Sequence, residues 1–242
     1  MKHLVIDVWS DIACPWCYVG KRRLEAALAV FEHREHVEVR WRSFELDPSA
    51  PRVRDPETDY IGRLAAKYRA SRAQAEAMIG NMVATAAADG IEMRFDRIRP
   101  GNTFDAHRLL HLARERGVQG ALKERLLRAY LTEGEAIGDP STLSRLAGEA
   151  GLDVTEAQAV LAGDAYARAV RGDEAQAASL EIHGVPCFVF AGRFAVSGAQ
   201  PPDAILQVLT RAWAELPAVE VVEEGAVCGP DGCAPGASVA DR

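Results

Sequence analysis

Four residues, Cys14-Pro15-Trp16-Cys17, stand between a short apolar run and an amphipathic one, and that junction limits what this chain can fold into. Upstream, Leu4-Val5-Ile6-Asp7-Val8-Trp9 is rich in β-formers and short, as a buried strand should be. Downstream, Val19, Leu24, Ala27, Leu28 and Phe31 make an apolar stripe of near-helical spacing, with Lys21, Arg22, Arg23 and Glu25 mostly off it. Pro15 is tolerated in a first helical turn, where its missing N–H has no partner to lose. A thiol at a helix N-terminus faces unpaired backbone N–H groups and the positive end of the helix dipole, and both favour a thiolate. Cys14 is therefore expected to be depressed from about 8.5 into roughly the 3.5–7.5 range of such motifs. Cys17 lies one turn on, on the same face, so the two sulfurs can close a disulfide. The spacing is shared with half of a zinc site, and the strand–helix context favours a dithiol redox centre instead.

Composition sets bounds around that centre. With 242 residues, 48% of them hydrophobic, there is ample material for a core. A formal net charge of −7 argues against nucleic acid and anionic membrane as partners. No run approaches the length of a membrane span, and the first apolar segment is too short for a signal-peptide core. A cytoplasmic location is expected, where paired cysteines more often do redox or metal chemistry than structural work.

The remaining chain forms an interrupted pattern. Val37 to Phe44 alternates as a second strand, and Leu46 to Pro56, with Pro48, Pro51 and Pro56, reads as loop. From about Thr58 to Leu180 the period is helical: stripes run through Ile61, Leu64 and Tyr68, and through Ala75, Met78, Ile79, Met82 and Val83. Others follow at Leu109 and Leu110, at Leu122, Leu126 and Leu127, at Leu143 and Leu146, and in an alanine-rich helix from about Asp164 to Leu180. Ser71 with Gln74 predicts a capping box. Val185 to Phe190 and Arg193 to Ser197 read as a hairpin about Ala191-Gly192, and Pro201-Pro202-Asp203 opens a last amphipathic helix. The fold class is thus α/β: residues 1–44 and 181–217 form a small sheet domain, 45–180 an all-helical insertion, and 218–242 a cysteine-containing tail.

At this point the sequence resembles the thioredoxin fold, and its insertion resembles the DsbA-like branch of that fold. Ser10-Asp11-Ile12-Ala13-Cys14-Pro15-Trp16-Cys17-Tyr18-Val19-Gly20, Asn102 to Leu109 and Gly184-Val185-Pro186 together resemble the cytosolic FrnE-type oxidoreductases, over about residues 3–216. The resemblance implies that Cys14 is the nucleophile, Cys17 the resolving thiol and Pro186 a cis proline facing them. It also implies a groove beside that proline, where Pro15, Trp16 and Val185 would take peptide backbone. The implied activity is a thiol–disulfide oxidoreductase or isomerase without cofactor or metal. Its partners would be protein or peptide thiols and disulfides, with glutathione or a thioredoxin-type reductant alongside. A glutathione-dependent transferase or isomerase of the same architecture, a peptide-binding holdase and a zinc-binding structural role are the competing readings.

Several residues stand outside that scheme. Cys187 reads as a small buried hydrophobe, or else a third thiol within reach of the pair. Cys228 and Cys233 enclose Gly229-Pro230-Asp231-Gly232, a turn-forming stretch. They read as a second redox pair exchanging with Cys14–Cys17, as metal ligands, or as adventitious thiols of a dispensable tail. Lys21, Arg22 and Arg23 read as a solvated face, His107 and His111 as ordinary surface or interface histidines, and His183 as a neighbour of the thiols or merely a residue before the strand. Asp7 reads as a hydrogen-bonded edge carboxylate.

Overall fold

The computed structural model describes residues 2–53, 59–217, 227–229 and 232–234. The strand β1 (Leu4–Ser10) runs into Cys14, which caps the helix α1 (Pro15–Val30) in an extended backbone conformation. A helical crossover allows the next strand, β2 (Val37–Ser43), to lie parallel to β1, with Leu4 opposite Val37 and Ser10 opposite Ser43. After the helical block, β3 (Cys187–Phe190) pairs antiparallel with β1, and β4 (Phe194–Ser197) with β3, giving the order β2-β1-β3-β4. The helix α9 (Pro202–Ala214) closes this part.

Alternation along the two central strands separates the faces. Leu4, Ile6, Val8, Phe188 and Phe190 point to one side and meet Leu24 and Ala27 of α1 and Ile205, Leu209 and Ala212 of α9. Each large side chain fully buried there contributes about 1.5–3 kcal/mol. Trp9, Cys187 and Val189 point to the other side, against Ala177 and Ile182. The Trp9 indole N–H donates to the Asp173 carbonyl at 2.9 Å.

The intervening block contains α2 (Tyr60–Tyr68), α3 (Arg72–Ala88), α4 (Phe104–Glu115), α5 (Gln119–Arg128), α6 (Pro140–Glu149), α7 (Val154–Ala162) and α8 (Ala167–Ser179). The expected capping box is present: Ser71 Oγ accepts from the Gln74 N–H, and the Gln74 side chain accepts from the Ser71 N–H. Asp139 and Asp153 cap α6 and α7, their carboxylates accepting from the N–H groups of Thr142 and Glu156 at 2.8 Å each. The sequence reading did not separate α7. It also started the alanine-rich helix at Asp164, whereas Tyr166, with φ +63°, holds the start back to Ala167.

Ile12, Tyr18 and Val19, which flank the cysteines, belong to the core of the helical block together with Met82, Leu109, Leu126 and Tyr130. The Cys14–Cys17 segment is therefore clamped between two cores: its strand and helix belong to the sheet, and its own loop to the helices. Among the described residues no helix is long and apolar enough to cross a membrane.

Candidate functional site

The loop from β1 to α1 is built by Asp11. Its backbone carbonyl accepts from the Cys14 N–H at 3.3 Å, and its carboxylate accepts from Leu46 N–H at 2.8 Å and Ala13 N–H at 3.3 Å. The same carboxylate lies 3.4 Å from His107 Nε2 on α4. One buried side chain thus ties the cysteine loop to the exit of β2 and to the helical block. Burial pushes the Asp11 carboxyl up, but His107, the Leu46 N–H and the Lys123 ammonium outweigh it and hold it below the usual range.

Cys14 and Cys17 are both buried, with Cys14 5% exposed and Cys17 0%. Val185–Pro186 is a cis peptide bond, and the Val185 carbonyl lies 3.5 Å from Cys14 Sγ. The Pro186 carbonyl in turn accepts from the Gly198 N–H at 2.8 Å, which anchors the proline to the end of β4. Gly20 of α1 sits under this loop: a Cβ there would stand 2.9 Å from Pro186 Cγ. Only glycine lets helix and proline approach so closely.

The two thiols share their protons unequally. Burial raises the Cys17 thiol, but the hydrogen bond from Cys14, the Lys123 ammonium and the Ser10 hydroxyl bring it below its ordinary value. Cys14, donating to that thiolate and buried beside it, is pushed well above its own. This differs from the expectation that Cys14 carries the stabilised thiolate. The helix N-terminus favours an anion at either sulfur, and Lys123 and Ser10 add to that at the inner one.

Pro15, Trp16 and Val185 line, with Cys14, one end of a cavity of about 580 Å³. Its walls come from the helical block: Tyr60 and Leu64 of α2, Met78 and Met82 of α3, and Phe95. Trp16 is 44% exposed at its mouth, close in kind to Tyr68 and Met78 on the opposite rim. The structure therefore brings Cys14, Cys17, Val185, Pro186, Pro15 and Trp16 into one place. Such a cavity, apolar with methionine and aromatic walls, suits side chains of varied shape.

Other expectations change. Lys21, Arg22 and Arg23 are not a solvated face. Lys21 is 4% exposed, and its ammonium binds Glu124 of α5 at 2.6 Å and Glu25. Arg22 joins Glu124 too, whose other partner is the Tyr18 hydroxyl at 2.7 Å, while Arg23 pairs with Asp89 at 3.0 Å. These cations fasten α1 to the helical block. His107 is fully buried, not a surface histidine, and His111 pairs with Asp173 at 3.1 Å. His183 is exposed, and Asp7 pairs with Arg42 at 2.7 Å. Cys187 packs with Trp9 and Val189 on the sheet face away from α1, and burial raises its thiol. Its burial among apolar side chains is what the buried-hydrophobe reading expects.

Cys228 and Cys233 stand opposite each other in a small antiparallel pair, β5 (Val227–Gly229) and β6 (Gly232–Ala234); the rest of the tail lies outside the described residues, as does Pro56 of the expected loop. Among the described residues no group of three or more His, Cys, Asp or Glu is placed to hold a metal ion.

Sequence reasoning passed over Lys123. It is fully buried on α5, with its ammonium 3.5 Å from the Ser10 carbonyl and 5.7 Å from the centre of the Trp41 ring. The signal was there: Lys123 occupies the same buried stripe as Gln119, Leu122, Leu126 and Leu127, where a charge is out of place.

Comparison with known proteins agrees with this architecture. The crystal structure of a probable DsbA oxidoreductase from Streptomyces coelicolor is 48% identical, with a TM-score of 0.86 over 97% of this chain and 100% of that one. The cytosolic disulfide reductase DsbM from Pseudomonas aeruginosa, solved with glutathione, shares the fold at 18% identity, TM-score 0.59, over 86% of this chain and 98% of that one. The uncharacterized protein YwbO of Bacillus subtilis (strain 168) is 29% identical over 211 residues, 85% of this chain and 95% of its own length. A model of the DSBA-like thioredoxin domain matches residues 5–210, and with it the chain belongs to the DSBA-like thioredoxin domain family.

Proposed function

We propose that this protein is a thiol–disulfide oxidoreductase of the FrnE type that acts on protein or peptide thiols through Cys14 and Cys17. Family membership supports a disulfide oxidoreductase/isomerase in general terms. The observation that carries the finer reading is the placement of two buried free thiols in the first turn of α1, with Cys14 beside the Val185 carbonyl and lining an apolar cavity.

The chemistry follows from the two exposures. Cys14 is the sulfur that a substrate can reach. In the oxidising direction a substrate thiolate attacks Cys14 Sγ, the Cys14–Cys17 bond breaks, and Cys17 leaves as the stabilised thiolate. A second substrate thiolate then attacks the substrate sulfur of the mixed disulfide and expels Cys14. Two electrons have passed from the substrate to the protein, and a substrate disulfide has formed. In the reducing direction the proton shared by the pair moves to Cys17, and Cys14 attacks a substrate disulfide, expelling one thiolate. Cys17, deprotonated again, attacks Cys14 Sγ and releases the second. The cavity walls would hold apolar side chains next to the reacting cysteine, while the Val185 backbone would pair with an extended peptide.

Two further parts belong to the same proposal. Cys228 and Cys233 act as an auxiliary pair that exchanges with Cys14–Cys17, a reading supported by their register opposite one another. Glutathione or a thioredoxin-type reductant restores the dithiol, in a cytoplasmic setting. The domain division into 1–44 with 181–217, 45–180 and 218–242 is retained as the working description.

The test combines Cys14→Ser and Cys17→Ser with insulin reduction, RNase refolding and trapping of substrate. Loss of turnover in both, with mixed disulfides accumulating on Cys14 in Cys17→Ser, is expected. Cutting the chain after Pro217 should alter the glutathione equilibrium if the tail pair exchanges. Full activity in Cys14→Ser would sink the proposal. Retained suppression of aggregation without redox activity in the unmutated protein would favour a holdase, and stoichiometric zinc on elemental analysis would favour a structural metal role.

A further inference from the structure

Buried charge in this protein is generally paired. Among the described residues, Lys21, Glu45, Asp105, Arg108 and Asp173 are buried, and each has an ion-pair partner of opposite sign. Lys123 is the exception. It is fully buried, and among the described residues no carboxylate forms an ion pair with it. Its contacts are the Ser10 carbonyl at 3.5 Å and the face of Trp41 at 5.7 Å, both weak partners for a full charge. A buried ammonium costs several kcal/mol unless an anion compensates it.

Two anions act on it, the Cys17 thiolate and, less strongly, the Asp11 carboxylate. Ser10, whose carbonyl meets the ammonium, also has a buried hydroxyl without a conventional hydrogen-bond partner, close enough to Cys17 to lower that thiol. The end of β1 thus brings Lys123 and the Cys17 sulfur to two sides of one residue. Other charges face the same spot: Asp11 from the cysteine loop, Cys14 at the start of α1, and Lys21, which opposes, from α1. His107 of α4 lies behind Asp11, and Glu124, next to Lys123, is occupied by Lys21, Arg22 and Tyr18.

We propose that Lys123 is a positioning residue whose buried ammonium is the counter-charge of the Cys17 thiolate and thereby sets how oxidising the Cys14–Cys17 pair is. The inference rests on the reading of that pair as the redox centre. In the dithiol state cation and thiolate compensate each other. When the disulfide forms, the pair gives up two electrons to a substrate disulfide and the Cys14 proton to solvent, and Lys123 loses the stronger of its two counter-charges. The reduced form is therefore favoured, and the disulfide is a stronger oxidant than it would be without the lysine. The ammonium is already strained by burial, which brings it down to about 8, against the pull of Cys17 and Asp11 that raises it. Because Lys123 rides on α5, the helical block contributes directly to the redox chemistry of the sheet domain.

Lys123→Met, close in shape and apolar, tests this in the full chain. The thiolate absorbance of the reduced protein is followed against pH. The lower apparent pKa of the dithiol should rise by about one unit or more, as removal of a nearby opposite charge requires. The equilibrium with glutathione should shift about tenfold toward the protein disulfide, or about 30 mV in the reducing direction. An unchanged titration and an unchanged equilibrium would overturn the proposal. Should the variant fail to fold, the unmutated protein decides by NMR of the lysine ammonium: Lys123 should titrate at lower pH in the oxidised form than in the reduced form. Equal titration in the two states would overturn it. Absence of any reversible disulfide in the unmutated protein refutes the redox reading itself, whereas the thiolate titration, made on reduced protein alone, still decides the electrostatic role.

Discussion

Replacing Asp11 by alanine removes the joint that holds the cysteine loop in place, and its cost can be worked out from the contacts. Asp11 is 1% exposed, so water does not take over the vacated positions. The Leu46 N–H, at 2.8 Å, loses a charge-assisted bond worth about 1.5–3 kcal/mol, and the longer Ala13 bond, at 3.3 Å, adds less. Asp11→Ala is expected to destabilise the fold by about 2–4 kcal/mol in urea unfolding. Asp11→Asn keeps one acceptor for Leu46 and turns an amide toward His107, so about half of that loss is expected. The pH dependence gives an independent check. The folded carboxyl lies below its ordinary value, so the unfolded chain takes up the proton first as pH falls. The Asp11 contribution is therefore complete above about pH 4 and declines below it, at a slope of at most about 1.4 kcal/mol per pH unit. Both variants should show an acid limb shallower by up to one proton than the parent protein. A loss under about 1 kcal/mol for Asp11→Ala, or equal losses for alanine and asparagine with an unchanged acid limb, would refute the reasoning.

Three other perturbations probe separate parts of the argument. Trp16→Ala should cost about 1–3 kcal/mol of unfolding free energy, because the side chain at 44% exposure is a little more than half buried, and raise KM for apolar peptide disulfides. An unchanged KM would remove Trp16 from the substrate surface. Gly20→Ala places a methyl against Pro186 and Phe188; overpacking of about 1–3 kcal/mol outweighs the roughly 1 kcal/mol gain in helix propensity, so a lower Tm and altered alkylation of Cys14 are expected. A higher Tm would show that the proline loop yields freely. Arg108→Met should cost about 3–5 kcal/mol, since it removes the donor shared by the buried carbonyls of Val160, Gly163 and Ala165 and leaves Asp105 to Arg52. Arg108→Lys should recover little, because one ammonium cannot span those acceptors; near-native stability of either variant in thermal unfolding would contradict this.

Local order was legible where a local rule governs it. The capping box at Ser71, the proline start of α1 and the turn after Phe190 each depend on residues a few positions apart, and each is found where the sequence placed it. Two disagreements came from partners distant in sequence. Lys21, Arg22 and Arg23 look like a solvated face on their own helix, and only the arrival of Glu124 and Asp89 turns them into a fastening. The lowering of the Cys17 thiol depends in part on Lys123, more than a hundred residues away in the chain, a partner that the position of the cysteines on their helix does not reveal.

The sequence by itself determined the dithiol at a strand–helix junction, the helical interruption of a small sheet and the proline facing the cysteines. These depend on periodicity, on the shape of single residues and on a family resemblance carried by short motifs. The tertiary structure decided which charges stand around the two sulfurs, which cations are buried, and which helices wall the cavity beside Cys14. Electrostatic energy depends on separation and burial in space, and neither can be read from spacing along the chain.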